Sequence, residues 1–134
     1  MIDAMAHEIL IVDDSIDDIE LTSMALTATG RELHITASLN GAAALKLLRE
    51  RDTLPELVLL NLKMPGMSGL ETLRELRADV RLKDLRVVIH TSSSLERDRD
   101  ESCKAGADIF LHKAFDMTQF NNDVKSLLDR CLIN

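Results

Sequence analysis

Five short apolar runs recur along the chain: Ile9-Leu10-Ile11-Val12, Leu33–Ser38, Leu57-Val58-Leu59-Leu60, Val87-Val88-Ile89 and Ile109-Phe110-Leu111. Most are continuous rather than alternating. A strand with one face in water alternates apolar and polar side chains, whereas a strand covered on both faces does not. The runs therefore predict the strands of a parallel sheet sandwiched between helices. Segments of helical period lie between them. Leu21, Met24, Ala25 and Ala28 repeat at i, i+3, i+4 and i+7, as do Gly41, Ala44, Leu45 and Leu48. Leu70, Leu73 and Leu76 mark a third helix, and Met117, Phe120, Val124, Leu127, Leu128 and Cys131 share one face of the last. Residues 95–105 are almost wholly polar after Leu95; context makes them a helix with a dominant exposed face and weak anchorage.

Strand and helix thus alternate five times. Parallel strands require crossover connections, which are right-handed almost without exception. The predicted fold is a doubly wound α/β sandwich with helices on both faces of the sheet. With 134 residues the chain is expected to form one domain, 1–134, with residues 1–7 as a short tail before the first strand. Pro55 and Pro65-Gly66 punctuate loops on either side of the third strand. Only 2% of residues are aromatic, so the core must be aliphatic. A net charge of −7 opposes binding to nucleic acid or anionic lipid, both of which are recognised through basic patches. No apolar stretch approaches the roughly 20 residues that cross a bilayer. The first residues lack the basic start and apolar stretch of a signal peptide, so a cytoplasmic location is expected. Cys103 and Cys131 have no metal-ligand or redox spacing and read as a reduced pair.

In sheets of this kind ligands bind beyond the carboxyl ends of the strands. The first strand ends in Asp13-Asp14-Ser15 and the third in Asn61, followed by Leu62-Lys63-Met64-Pro65-Gly66-Met67-Ser68-Gly69. The fourth ends in Thr91-Ser92 and the fifth in His112-Lys113. Each piece has an ordinary explanation. An Asp-Asp pair after a strand is commonly a helix cap with an acidic first turn, and Ser15, Asp17 or Asp18 could cap equally well. A Thr-Ser-Ser-Ser run is usually a loop and N-cap, a single lysine is usually on the surface, and Met-Pro-Gly-Met is a turn. Their conjunction at one end of one sheet is harder to dismiss.

These residues resemble the receiver domain of two-component response regulators, over about Glu8 to Cys131. The spacing agrees with the letters: Thr91 lies 30 positions after Asn61, Lys113 lies 22 after Thr91, and Pro65 and Gly69 stand 4 and 8 after Asn61. The resemblance implies a flavodoxin-like fold with sheet order 2-1-3-4-5; the chemotaxis member of this family is itself a standard example of that order. It also implies a site in which a carboxylate at position 61 takes a phosphoryl group with help from Mg²⁺. By this resemblance Asp14 would bind the ion directly and Asp13 through water, and the Lys63 backbone carbonyl would be a further ligand. Lys113 would pair with phosphoryl oxygens, the Thr91 hydroxyl would swing inward, and Phe110 would follow as the switch residue.

This sequence departs from the pattern twice. Asn61 stands where the family carries its phosphorylated aspartate. A carboxamide has no anionic oxygen and is a poor nucleophile and metal ligand, so no phosphorylation at 61 and weak Mg²⁺ binding are expected. Asn61 is either the native residue of an atypical receiver or an Asp→Asn change. Ala114 replaces the proline usual after the lysine, which puts the reach of Lys113 in question. His90, before Thr91, reads as a packed or partly exposed side chain rather than a ligand or switch.

The expected function is regulatory and non-enzymatic: a stand-alone receiver acting through protein contacts with a sensor histidine kinase or phosphotransfer protein and a downstream target. The Arg77–Arg86 loop and the Thr-Ser-Ser ending are similar to single-domain regulators paired with phytochrome-type kinases. Members of that group often dimerise, and the apolar last helix with Leu132 and Ile133 would suit a homodimer. The rival is an enzyme on the same sheet, flavodoxin-like or phosphatase-like. The first wants a phosphate loop after the first strand, and the second an Asp-x-Asp pair; Asp13-Asp14-Ser15-Ile16 is neither.

Overall fold

The computed structural model describes residues 6–132. The elements run β1 (His7–Val12), α1 (Ile16–Ala28), β2 (Leu33–Ser38), α2 (Gly41–Glu50), β3 (Leu57–Leu60), α3 (Gly69–Ala78), β4 (Val87–Thr91), α4 (Glu96–Lys104), β5 (Ile109–His112) and α5 (Met117–Cys131). The strands pair in parallel in the order β2-β1-β3-β4-β5. This is the flavodoxin-like, doubly wound sandwich that the apolar runs and the resemblance led us to expect. Strand order reverses around β1 and β3, which pair with Val12 opposite Leu60. The next residue on each strand, Asp13 and Asn61, is thereby delivered to the mouth of the same cleft.

Continuous apolar strands supply both faces of the sheet. Leu10, Val12, Val58, Leu60, Val87 and Ile89 pack on one side with Ala44, Leu45 and Leu48 of α2 and Leu73 and Leu76 of α3. Ile9, Ile11, Leu57, Leu59 and Val88 pack on the other with Ala25 and Leu26 of α1 and Phe120, Val124, Leu127 and Leu128 of α5.

The structure corrects several boundaries and faces. His7 is not tail: it opens β1 opposite Leu33, and residues 1–5 lie outside the described residues. The buried face of α1 is Thr22, Ala25 and Leu26, whereas Met24 and Ala28 are exposed. Apolar residues are spread around most of this helix, so its period leaves the inward face open by a residue. Arg77 belongs to α3 rather than to the following loop. Its guanidinium donates to the carbonyls of Lys83, Leu85 and Gly106 and to Asp108 Oδ2, tying the approaches to β4 and β5 together. Met117, assigned to the inner face of the last helix, is exposed. Leu132, expected to suit a dimer, is buried in its own core beside Leu128, and Ile133 lies outside the described residues. The apolar face of α5 is therefore occupied within the domain.

Candidate functional site

The β1 end supplies two carboxylates in different settings. Asp13 is buried; Oδ1 accepts from the Ser15 N–H at 3.0 Å and Oδ2 from Lys113 Nζ at 2.6 Å. Asp14 is exposed and accepts from Asn61 Nδ2 at 3.2 Å. Asn61 is fixed by its backbone, which donates to the Val12 carbonyl at 2.9 Å. Its amide also donates to the Lys63 carbonyl at 3.0 Å.

The chain leaves Asn61 through a tight loop. Gly66 has φ +75° in the turn after Pro65, a conformation that side chains disfavour. Gly69 opens α3 so close to β3 that a Cβ there would fall on the Asn61 carbonyl oxygen. Its N–H donates to the Leu62 carbonyl at 2.9 Å. Ser68 and Glu71 then form a reciprocal capping box. The backbone N–H of Ser68, and next its hydroxyl, hold the Glu71 carboxyl below its ordinary range.

Lys113 reaches the cleft. The described residues contain no cis peptide bond, and the Lys113 N–H donates to the Thr91 carbonyl at 2.6 Å. Its Nζ lies 2.6 Å from Asp13 Oδ2 and 2.9 Å from Asp18 Oδ2. The loss of proline at 114 thus leaves its reach intact. Asp18 was not among the expected site residues; it stood only as one of three possible caps, beside Ser15 and Asp17.

Thr91 is buried, and its hydroxyl oxygen accepts from the Ser93 N–H at 3.1 Å. The serine run does not cap α4 in the expected way: Leu95 is the N-cap residue and makes no side-chain capping bond. Ser93 Oγ instead donates to Asp98 Oδ2 at 2.5 Å and accepts from the Leu95 N–H at 3.3 Å. Asp98 is 4% exposed and also pairs with Lys63 Nζ at 3.5 Å. The Ser93 hydroxyl, and after burial's opposing push the Lys63 ammonium, hold its carboxyl below the ordinary range. Sequence reading took this helix as solvated and missed the aspartate on its inner face.

Phe110 is half-buried on β5, with the Arg99 guanidinium 5.0 Å from its ring centroid, a cation–π contact. His90 is buried against the Phe120 ring, with centroids 5.4 Å apart. Burial, reinforced by the Lys113 charge, pushes its pKa down to about 3, so it is neutral at neutral pH and takes the packed of the two settings the sequence left open. Cys103 is exposed, Cys131 is half-buried, and both are free thiols. Among the described residues no group of three His, Cys, Asp or Glu side chains is arranged to hold a metal. No described helix is long and apolar enough to cross a membrane.

Asp13, Asp14, Asn61, the Lys63 carbonyl and Lys113 are therefore brought together, with Thr91 at the rim and its hydroxyl turned to its own loop. A parallel sheet of this order, with acids after the first strand and a lysine after the last, defines the receiver class of signalling domains. The chain belongs to the response regulator receiver domain family, whose model matches residues 9–125. It is 34% identical over 123 residues to the response regulator PleD of Caulobacter vibrioides, covering 92% of this chain but only 26% of PleD. The crystal structure of the phosphorylated cyanobacterial phytochrome response regulator RcpA matches with a TM-score of 0.88 at 27% identity, over 95% of this chain and 94% of that one. The Mn²⁺-bound form of response regulator Rcp1 matches with a TM-score of 0.83 at 26% identity, over 92% of each chain.

Proposed function

We propose that this chain is a stand-alone, non-enzymatic cytoplasmic receiver that works by protein contact and is not phosphorylated at position 61. The observation that carries this reading is the hydrogen bonding of Asn61. Its amide nitrogen donates to Asp14 and to the Lys63 carbonyl, so at the acceptor position the cleft presents a donor where phosphoryl transfer needs an anionic oxygen.

The oxygen donors of the cleft are of the hard type that Mg²⁺ takes. Asp13, Asp14 and the Lys63 carbonyl would hold the ion, and Asn61 could contribute its carbonyl oxygen once the amide turns over. When bound, the ion offsets charge on a phosphoryl group. Three of these oxygens already accept N–H donors, from Lys113 and Asn61. With one negative charge fewer than an aspartate site, the cleft is a weak ion binder.

The proposed partners are a sensor histidine kinase or phosphotransfer protein and a downstream target. Support comes from the rim of the cleft, where Ile16, Leu95, Phe115 and Met117 stand exposed at or just before the starts of α1, α4 and α5. Apolar side chains grouped around a polar cleft favour protein contact. The likeness to the phytochrome response regulator RcpA favours a kinase of the phytochrome type. The test is incubation with Mg²⁺ and acetyl phosphate, followed by intact mass measurement beside Asn61→Asp. We expect only the variant to gain a phosphoryl group; uptake by the unmodified chain would sink the reading.

A further inference from the structure

Lys113 is held by two carboxylates, and only one of them stands at a strand end. Asp18 lies in the first turn of α1, at none of the positions on which the resemblance to receivers rests. Setting α1 beside α3 shows how it comes free to reach the lysine. In α3 the acid three residues after the N-cap closes a full box: Ser68 Oγ accepts from the Glu71 N–H at 3.1 Å, and Glu71 Oε1 accepts from the Ser68 N–H at 3.1 Å. The same spacing occurs in α1, where Ser15 Oγ accepts from the Asp18 N–H at 3.2 Å. The return bond is diverted, because the Ser15 N–H donates to Asp13 Oδ1. The Asp18 carboxylate is left out of the cap and turns to Lys113.

We propose that Asp18 is a positioning residue that holds Lys113 toward α1, engaging its ammonium before any phosphoryl group arrives. The cleft is then quieted at two places, Asn61 and Asp18. The inference rests on Lys113 being the partner of a phosphoryl group, as read above. Charge-assisted bonds are the stronger kind, and an incoming oxyanion has to displace one of them. Asp18, with its side chain 39% exposed against 4% for Asp13, is the carboxylate that yields. The lysine side chain itself is 9% exposed, so the two acids also shield it from solvent.

Two measurements test this. The first treats the unmodified chain, Asp18→Asn and Asp18→Glu briefly with an acetylating N-hydroxysuccinimide ester and maps each lysine by peptide mass. Labelling of Lys113 should rise about fivefold in Asp18→Asn, as expected for loss of one charge-assisted bond. Lys125 should not change, and Asp18→Glu should stay near the unmodified level. Unchanged labelling of Lys113 would overturn the proposal whatever the fate of phosphorylation. The second compares Asn61→Asp with Asn61→Asp/Asp18→Asn in Mg²⁺ and acetyl phosphate. There the introduced carboxylate oxygen bonds to phosphorus, the bond from phosphorus to the acetate oxygen breaks, and acetate leaves with the electron pair. The double variant should react about tenfold faster, since its lysine then keeps one carboxylate bond, to Asp13, instead of two; an equal or slower rate would overturn the role of Asp18. If neither variant takes a phosphoryl group, the reading of the cleft as a receiver site silenced by Asn61 fails, and the labelling result decides Asp18.

Discussion

α4 and α5 flank the same edge strand, β5, yet different forces hold them down. α5 buries Phe120, Val124, Leu127 and Leu128, and each such side chain contributes about 1.5–3 kcal/mol by leaving water. Its start is capped by Asp116, which accepts from the N–H groups of Thr118 at 2.8 Å and Gln119 at 3.2 Å. α4 buries only Asp98 and Ser102 and has no side-chain cap. Its anchors are the Ser93 and Lys63 bonds to Asp98 and the stacking of Arg99 on Phe110. Apolar burial is cooperative and fails with the core, whereas hydrogen bonds worth about 0.5–1.5 kcal/mol each can open singly and re-form with water. The comparison teaches that α5 belongs to the scaffold. α4 can shift on binding without opening the sheet.

The largest expected effect is on the α5 side. Leu128→Ala should lower stability by about 2–5 kcal/mol in urea unfolding, as for other fully buried leucines. A loss below that range would mean that α5 is no better anchored than α4. Next comes pH, through His90 against Phe120 of α5. The folded-state pKa of about 3 lies below the ordinary 6.5, so between these values the unfolded chain binds more protons. Stability should therefore fall as pH drops below 6.5, by up to about 1.4 kcal/mol per pH unit for this one group. Denaturant midpoints between pH 7 and 5 measure the slope, and His90→Leu should flatten it.

The α4 side should answer more locally. Asp98→Ala should reduce hydrogen-exchange protection in α4 by about tenfold, through loss of the Ser93 bond and the Lys63 ion pair together, while α5 amides keep theirs. Equal losses in both helices would erase the distinction. The smallest effect belongs to Ser102, whose buried hydroxyl has no hydrogen-bond partner among the described residues. Ser102→Ala should leave the denaturant midpoint unchanged or raise stability by up to about 1 kcal/mol. Clear destabilisation would show that this hydroxyl has a partner after all.

Much of this could be read without coordinates. The runs at Ile9, Leu33, Leu57, Val87 and Ile109 became the five strands; the signature is unbroken where both faces are buried, in β1, β3 and β4, and weaker in the half-buried edge strand β2, where His34 and Thr36 interrupt it. The face of α2, and that of α5 apart from Met117, were legible from their helical period, as was the gathering of Asp13, Asp14, Asn61 and Lys113, because strand ends in a parallel sheet share one rim. The face of α1 was not legible, because its apolar residues are spread around the helix and packing against the sheet chose among them. Nor were Asp98 and Ser102 legible as inward-facing: a polar helix looks the same in sequence whether or not it covers a lysine and a loop. Asp18 is the clearest case. The sequence left it as one of three possible caps of α1; Ser15 is the cap, and the Asp18 carboxylate is claimed by Lys113, 95 residues away along the chain. Local pattern determined which residues would be strand, helix and cleft. Only the tertiary structure decided which charge each carboxylate would meet, because that pairing depends on distances set by the packed sheet.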